Sequence, residues 1–197
     1  MSKDNLYKEH LNEVKAFAFD TQVAAVFDDM IRRSVPLYRE VQETTIRLAA
    51  RFAIPGTAIY DLGCASGETL LGLGTALDIT KFKPYGVDSS APMLDKCRER
   101  LTVNGLLDKF TLEHCEIEDI VLAPSSVVIL NYTLQFLPVE SRLGILSKVQ
   151  NALLPEGILI LAEKITHTDA ALTNEMNELH REFKLSQGYS ALEVDQK

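Results

Sequence analysis

The stretch "YDLGCASGETLLGLG", from Tyr60 to Gly74, decides the fold, because it joins a short apolar run to a glycine-rich turn and then to a helical pattern. Gly63 and Gly67 flank Ala65 in this turn, so the backbone there can approach a bound molecule closely. A dinucleotide-binding turn of the pattern G-x-G-x-x-G has glycine where this chain has Glu68. A carboxylate in the first helical turn would repel a pyrophosphate, so the pattern favours a ligand without phosphate groups.

Around this stretch, apolar runs typical of strands alternate with amphipathic segments typical of helices. This alternation predicts an α/β fold in which a parallel sheet lies between two layers of helices, with right-handed crossovers. The predicted strands are 57–63, 83–90, 110–119, 125–133 and 158–164; the predicted helices are 19–34, 37–52, 68–77, 91–104, 139–154 and 169–187, with a turn at 155–157.

Polar residues follow the carboxyl ends of four predicted strands, at 61–67, 88–90, 116–119 and 131–135. Ligands of parallel sheets bind at these ends. Asp88 can accept hydrogen bonds from ribose hydroxyls and Glu116 from an adenine amino group, with Ile117 and Met93 beside the ring. Each assignment has a simpler alternative: Gly63 only makes a turn, Asp88 only caps the next helix, and Glu116 is only a solvated strand end.

Composition excludes several classes of protein. The 197 residues are 46% hydrophobic and 24% charged, as in ordinary globular domains, and no apolar run is long enough to span a membrane. A net charge of −8 disfavours direct binding of nucleic acid. Three cysteines without metal-site spacing indicate reduced thiols, so we expect a cytoplasmic protein without a metal site.

The pattern acid-x-Gly-x-Ala-x-Gly over Asp61–Gly67 resembles the first motif of Class I methyltransferase-fold proteins, which bind S-adenosyl-L-methionine. Three further segments are more specific: "DMIRRSVPLY" (29–38), "LNYTLQFL" (130–137) and "FKLSQGYSALE" (183–193). Together with the cofactor motif they resemble the carboxy-S-adenosyl-L-methionine synthase family over nearly the whole chain from Phe19 onward.

The resemblance implies a Rossmann-like methyltransferase fold with strand order 3-2-1-4-5, helices on both faces and extra N-terminal helices. It also implies conversion of S-adenosyl-L-methionine and prephenate to carboxy-S-adenosyl-L-methionine and phenylpyruvate. A partner enzyme, a tRNA carboxymethyltransferase, would use this product to form 5-carboxymethoxyuridine at the wobble position. A homodimer is implied as well.

The resemblance assigns site residues one by one. Tyr38 would act in catalysis and contact the methionyl or carboxyl end of the ligand. The turn after the first strand would line the methionyl group, Asp88 and Ser89 would hold the ribose, and Asn131 would lie near the sulfonium. The implied cofactor-binding residues are Tyr38, Gly63, Cys64, Ala65, Asp88, Ser89, Glu116, Ile117 and Asn131.

The chain departs from the family pattern at three places. Ala65 stands where the family often has Ser, and Glu116 where it usually has Asp. The chain stops at Lys197, before an arginine that in the family resembles the group holding the added carboxylate. We therefore expect a single domain, 1–197, truncated before its last two strands, with a helical cap (1–53), a sheet core (54–164) and a helical segment (165–197).

Cationic donors should line a pocket for prephenate, which carries two carboxylates. Arg32, Arg33 and Lys164 are candidates, with an ordinary surface charge as the alternative for each. Packing or surface roles are expected for the histidines, including His114. Two other functions stay open: an S-adenosylmethionine-dependent methyltransferase of a small molecule or RNA, and a non-catalytic binder of the cofactor.

Overall fold

The computed structural model describes residues 3–10 and 17–196, and these divide into two compact units. Glu40–Lys164 form one unit, which we call the sheet unit. Met1–Arg39 and Ile165–Lys197 form the other, which we call the terminal unit. The division into a single domain with a cap, a core and a helical segment stays a prediction.

The sheet unit contains five parallel strands in the order β3-β2-β1-β4-β5, which confirms the predicted order. β1 is central, with Tyr60 paired to Tyr85 of β2 on one side and to Val128 of β4 on the other. The strands are β1 (Ala58–Leu62), β2 (Lys83–Asp88), β3 (Thr111–His114), β4 (Ser125–Asn131) and β5 (Leu153–Ala162).

Helices cover both faces of this sheet. Ile59 and Ile129 pack into a cluster on one face with residues of α2, α3 and α4, while Tyr60 and Leu130 pack on the other face with residues of α5. Because both faces are covered, the central strands are buried along their length, which explains their nearly continuous apolar sequences. These helices are α2 (Tyr38–Phe52), α3 (Glu68–Ala76), α4 (Ala91–Val103) and α5 (Val139–Ala152).

The described residues of the terminal unit include three helices whose N-terminal ends are capped by side chains. Asp20 accepts a hydrogen bond from Val23 N before α1, and Asp169 accepts from two backbone amides of α6. Ser190 and Glu193 form a capping box at α7. The helices are α1 (Thr21–Ser34), α6 (Ala170–Ser186) and α7 (Ala191–Asp195).

Two predicted strand boundaries were wrong. β5 begins at Leu153, five residues before the predicted start at 158, and the expected turn at 155–157 lies within it. The register shifts between Ser125 and Val127, and Glu156 has a φ of +71°, so an irregular segment carries the turn residues inside the strand. β3 ends at His114 rather than 119, because a turn closed by Asp119 N and Glu116 O follows it.

Within the described ranges, no helix is both long and apolar enough to cross a bilayer.

Candidate functional site

The turn after β1 is held by its neighbours in a left-handed conformation. The φ angles of Gly63, Ala65 and Gly67 are +83°, +46° and +77°. The amides of Gly63 and Cys64 both donate to Val87 O of β2, at 2.8 and 3.0 Å. The tight turn therefore presents backbone at the carboxyl end of β1, where only small side chains fit.

The loop after β4 packs directly against this turn. Thr133 Oγ1 donates to Leu62 O at 2.9 Å. A Cβ atom placed on Gly63 would lie 2.6 Å from the same Thr133 oxygen. Gly63 is thus required both by its φ angle and by the space that Thr133 occupies.

Asp88, at the end of β2, organises two loops of the site. Its Oδ2 accepts from Ala65 N and its Oδ1 from Ser90 N, both at 2.8 Å. The cap of α4 is Ser90, whose hydroxyl accepts from Met93 N, so Asp88 is not the helix cap of the simpler alternative. Each carboxylate oxygen keeps a second lone pair, which leaves Asp88 able to accept from ribose hydroxyls.

The environment of Asp88 disfavours its ionised form. Burial raises the pKa of the Asp88 carboxyl, and the charge of Glu116 adds to this, while the Ser90 and Ala65 amides and His114 oppose it. His114 Nε2 also lies 3.0 Å from Ser89 O. The imidazole thus joins the ends of β2 and β3, a role that the sequence reading of His114 did not include.

The residues predicted to contact adenine, Glu116, Ile117 and Met93, differ in their burial. The Glu116 side chain is exposed and therefore accessible to a ligand that enters from solvent. Ile117 is 6% exposed and packs in the cluster around α5. Met93 is fully buried in the core. Met93 therefore serves packing in this structure, and Ile117 is the better placed of the two apolar candidates.

Two unsatisfied acceptors lie on one face of the sheet. Asp61 follows Ile59 by two residues on β1, and Asn131 follows Ile129 by two on β4, so both face the layer of α2 and α3. Asn131 donates through Nδ2 to Thr45 at 3.2 Å. Among the described residues, Asp61 Oδ2 and Asn131 Oδ1 are buried without a hydrogen-bond partner.

Asp61 has a strongly perturbed pKa. Burial and, to a smaller extent, the negative charge of Asp88 raise the pKa of Asp61 to about 7, although a hydrogen bond with Thr69 partly opposes both. A buried carboxyl group of this kind becomes a strong acceptor once a cation or a donor reaches it. The sequence motif contained Asp61, but only the structure reveals its unsatisfied oxygen.

Cys64 lies in the site as a buried thiol beside a second one. Its contact with Cys97 and its burial both raise the pKa of the Cys64 thiol well above the usual range. A Cβ on Gly67 would lie 2.5 Å from Cys97 Sγ. Both cysteines are free thiols, as the sequence predicts, and they act here as small packing groups.

The cationic candidates differ in their surroundings. In the terminal unit, the Arg33 guanidinium pairs with Asp29 at 3.1 Å, donates to Gln187 O at 2.9 Å and lies 3.8 Å from the centroid of the Tyr189 ring. These contacts give Arg33 a structural role, which the sequence alone does not reveal. Arg32 and Lys164 are exposed.

Tyr38 is the first residue of α2 and is 6% exposed. It belongs to the terminal unit, whereas the other predicted site residues belong to the sheet unit. Its catalytic role stays a prediction. In the parts of the chain that the structure describes, no three His, Cys, Asp or Glu side chains are grouped as a metal site would need.

Comparison with known proteins shows which class of protein has this fold. Residues 59–157 match the family model described as a methyltransferase domain. The structure of an S-adenosylmethionine-dependent methyltransferase from Clostridium acetobutylicum ATCC 824 is 22% identical, with a TM-score of 0.53 over 70% of this chain and 55% of that one. An rRNA methylase from Streptococcus thermophilus is 18% identical, with a TM-score of 0.51 over 69% and 76%. The matched family model and the shared fold define this chain as a protein with a methyltransferase domain.

Curated relatives narrow this class to one family. The carboxy-S-adenosyl-L-methionine synthase of Actinobacillus pleuropneumoniae serotype 3 (strain JL03) is 40% identical over 197 residues, which is all of this chain and 82% of the relative. That of Shewanella sp. (strain ANA-3) is 40% identical over 196 residues, covering 81% of the relative. The chain belongs to the carboxy-S-adenosyl-L-methionine synthase family and is a transferase.

Proposed function

We propose that this enzyme converts S-adenosyl-L-methionine and prephenate to carboxy-S-adenosyl-L-methionine and phenylpyruvate. Membership of the family supports the product, which is the one in the relatives' name. The segments 29–38, 130–137 and 183–193 support the same assignment, because they lie outside the motifs that all proteins of this fold share.

The observation that carries the binding part of the proposal is the pair of unsatisfied acceptors on β1 and β4. S-adenosyl-L-methionine carries an ammonium group and a sulfonium, both positive. Asp61 Oδ2 and Asn131 Oδ1 are buried oxygens without partners at the carboxyl ends of these strands, so a cationic ligand would remove their desolvation cost. Gly63, Cys64 and Ala65 would line the methionyl chain beside them.

The residues at the carboxyl ends of β2 and β3 would hold the nucleoside. Asp88 has lone pairs available for the ribose hydroxyls, beside the exposed Ser89. Glu116 would accept from the adenine amino group, with Ile117 against the ring. Glu116 is one methylene longer than the family's usual aspartate, so the carboxylate is kept with a longer reach.

The chemistry places modest demands on the protein. Prephenate loses CO₂ and hydroxide as its ring becomes aromatic, which leaves phenylpyruvate. The hydroxide removes a proton from the methyl group on sulfur to form water, and the resulting ylide carbon attacks CO₂ to form the new C–C bond. Aromatisation drives the sequence, so the enzyme must hold two ligands in register and exclude water.

Cationic side chains would bind the two carboxylates of prephenate. Arg33 already pairs with Asp29 and donates to Gln187 O, while Arg32 and Lys164 are exposed, and all three stay candidates. The enzyme would be a homodimer in the cytoplasm. Its product would pass to a tRNA carboxymethyltransferase that forms 5-carboxymethoxyuridine at the wobble position. The acidic charge of the chain agrees with a role that needs no direct contact with tRNA.

Ligand mass tests the proposal. Ligand extracted from the purified protein should be heavier than S-adenosyl-L-methionine by the mass of one CO₂, and added prephenate should be converted to phenylpyruvate in step with it. Parent cofactor alone, with no turnover of prephenate, would favour a methyltransferase. Carboxylated ligand without turnover would indicate a binding protein.

Tyr38→Phe tests the proposed catalytic residue. Removing the hydroxyl should lower the rate of carboxylated product at least about tenfold, by loss of one hydrogen bond made during the reaction. The affinity for S-adenosyl-L-methionine, measured by calorimetry, should change by less than about threefold on the same argument. Equal losses of rate and affinity would refute a role specific to the carboxylation step.

A further inference from the structure

The connection between β3 and β4, residues 115–124, carries both predicted adenine contacts but contains no helix or strand. Its backbone carbonyls therefore need donors from elsewhere. One side chain supplies them: Lys148 Nζ donates to Ile117 O at 3.4 Å, to Ile120 O at 2.9 Å and to Glu118 O between them. The three protons of the ammonium match three carbonyl acceptors.

The position of Lys148 on α5 makes this contact firm. Its neighbours Ile145 and Val149 are 2% and 1% exposed and pack in the same cluster as Ile117. The helix α5 and the buried side of the connection 115–124 thus pack into the same hydrophobic cluster. The ammonium adds a charged, and therefore strong, set of hydrogen bonds above that cluster.

The connection has room to move if these bonds are lost. A groove of about 520 Å³ lies along α5, lined on one side by Asp119–Leu122 and on the other by Gly144, Ser147, Lys148, Asn151 and Ala152. Only one backbone hydrogen bond, Asp119 N to Glu116 O at 3.0 Å, is made within the turn itself among the described contacts. The geometry therefore makes the conformation of 116–120 depend on Lys148.

We propose that Lys148 is a positioning residue for adenine recognition: without touching the ligand, it holds the carbonyl of Ile117 directly and thereby the adjacent Glu116, whose own carbonyl accepts from Asp119 N in the same turn. This inference rests on the proposed function, because the adenine contacts belong to it. It adds that affinity for the nucleoside is set from α5, behind the binding surface.

Lys148→Met, which keeps the alkyl stem and removes the ammonium, tests the proposal, with Lys109→Met as the matched control on an exposed lysine. In the ligand-free protein, amide hydrogen exchange of 116–122 should become at least about tenfold faster, while β4 keeps its protection. The dissociation constants of S-adenosyl-L-methionine and of adenosine should both rise about tenfold, as expected for loss of a charged hydrogen-bonding group. Lys109→Met should change neither.

Two further variants at position 148 separate loss of the hydrogen bonds from loss of the fold. Lys148→Arg keeps a cation and should recover most of the affinity; Lys148→Gln keeps two donors and replaces the Met variant if that one does not fold. Unchanged exchange of 116–122 in a folded variant, or unchanged affinity for adenosine, would overturn the proposal. If the unaltered protein binds no S-adenosyl-L-methionine, the proposed function fails, while the exchange experiment still decides whether Lys148 holds the connection.

Discussion

At the scale of single residues, Asp61 links ligand binding to proton binding. Its pKa rises from 3.8 to about 7 on folding, mainly through burial, so the folded chain holds this proton more tightly than the unfolded chain. Stability contributed by this group is therefore lost as pH rises from about 4 to about 7, and the ionised carboxylate is a net cost above that window.

Asp61→Asn should remove this dependence. The free energy of unfolding of the ligand-free variant, relative to the unaltered protein, should rise by about 2 kcal/mol between pH 5 and pH 8. Urea titrations at the two pH values measure it, with the exposed Asp108→Asn as control. A difference that stays constant with pH would show that Asp61 titrates normally.

The same substitution should act in the opposite direction on the complex. An amide carries no charge for the cationic methionyl group, so Asp61→Asn should bind S-adenosyl-L-methionine at least about tenfold more weakly at pH 8. Stabilisation of the free protein together with weaker binding separates an unsatisfied ligand acceptor from a misfolded site.

Gly63 carries the second prediction at this scale. Gly63→Ala forces a side chain into a left-handed backbone and toward Thr133 Oγ1, which would lie only 2.6 Å from the new Cβ atom. We expect a loss of about 2–4 kcal/mol in unfolding free energy, from strain and steric overlap together. Gly144→Ala in α5 has open space and helical geometry, and should gain up to about 1 kcal/mol instead. Similar effects of the two changes on chemical denaturation would contradict this account.

At the scale of elements, Glu163 holds the loop that follows β4. Its Oε1 accepts from Leu134 N at 2.6 Å. Burial raises the pKa of Glu163, and hydrogen bonds from the amides of Leu134, Thr133 and Gln135 pull it back. One carboxylate after β5 thus collects the amides of a turn in which Tyr132 has a φ of +57°.

Glu163→Ala should leave these amides without their carboxylate acceptor. The expected cost is about 1–3 kcal/mol in unfolding free energy, and the affinity for S-adenosyl-L-methionine should also fall, because Asn131 borders the loop. Glu99→Ala on exposed α4 surface is the control. A stability loss without any change in affinity would confine Glu163 to a structural role.

Elements whose sequence pattern agrees with their surroundings could be predicted without the structure. β1 and β4 are apolar nearly throughout because helices cover both faces. The start of β5 could not be predicted, because Pro155 and Gly157 are turn residues and only pairing of Leu153 with Ser125 brings them into the sheet.

The contacts that organise the site were also beyond the sequence. Asp88 was recognisable as a ligand candidate, but its bond to Ala65 N joins residues 23 apart in the chain. Lys148 and Ile120 are 28 apart, and Arg33 and Gln187 are 154 apart. Spacing within one element carries no signal for such pairs, since tertiary folding alone creates them.

At the scale of the whole molecule, the terminal unit joins the two ends of the described chain. Tyr189 is buried and its hydroxyl donates to Asp4 Oδ2, while its ring contacts Arg33. Gln196 donates to the carbonyls of Tyr7 and Glu9. Tyr189, in the segment "FKLSQGYSALE", therefore ties the C-terminal part of this unit to its N-terminal part.

Tyr189→Phe should loosen that closure. Loss of the hydroxyl leaves the buried Asp4 carboxylate with one donor fewer, at a cost of about 1–3 kcal/mol. Amide exchange of residues 3–10 and 188–196 should accelerate together, while α4 in the sheet unit keeps its protection. Independent responses of the two segments would mean that other contacts hold the unit closed.

The all-parallel pairing of the sheet has a consequence for how the chain acquires its structure. No described strand pairs with its partner through a hairpin: β1 pairs with β4, whose first paired residue, Ser125, lies 67 positions after Ala58. The second edge of the central strand therefore pairs only with a strand that is distant in sequence, and such non-local pairing slows folding relative to a fold built on local contacts. On the ribosome, the apolar strand β1 would emerge with one edge unpaired until β4 is synthesised, and chaperones that bind extended apolar segments would meet the nascent chain in that interval.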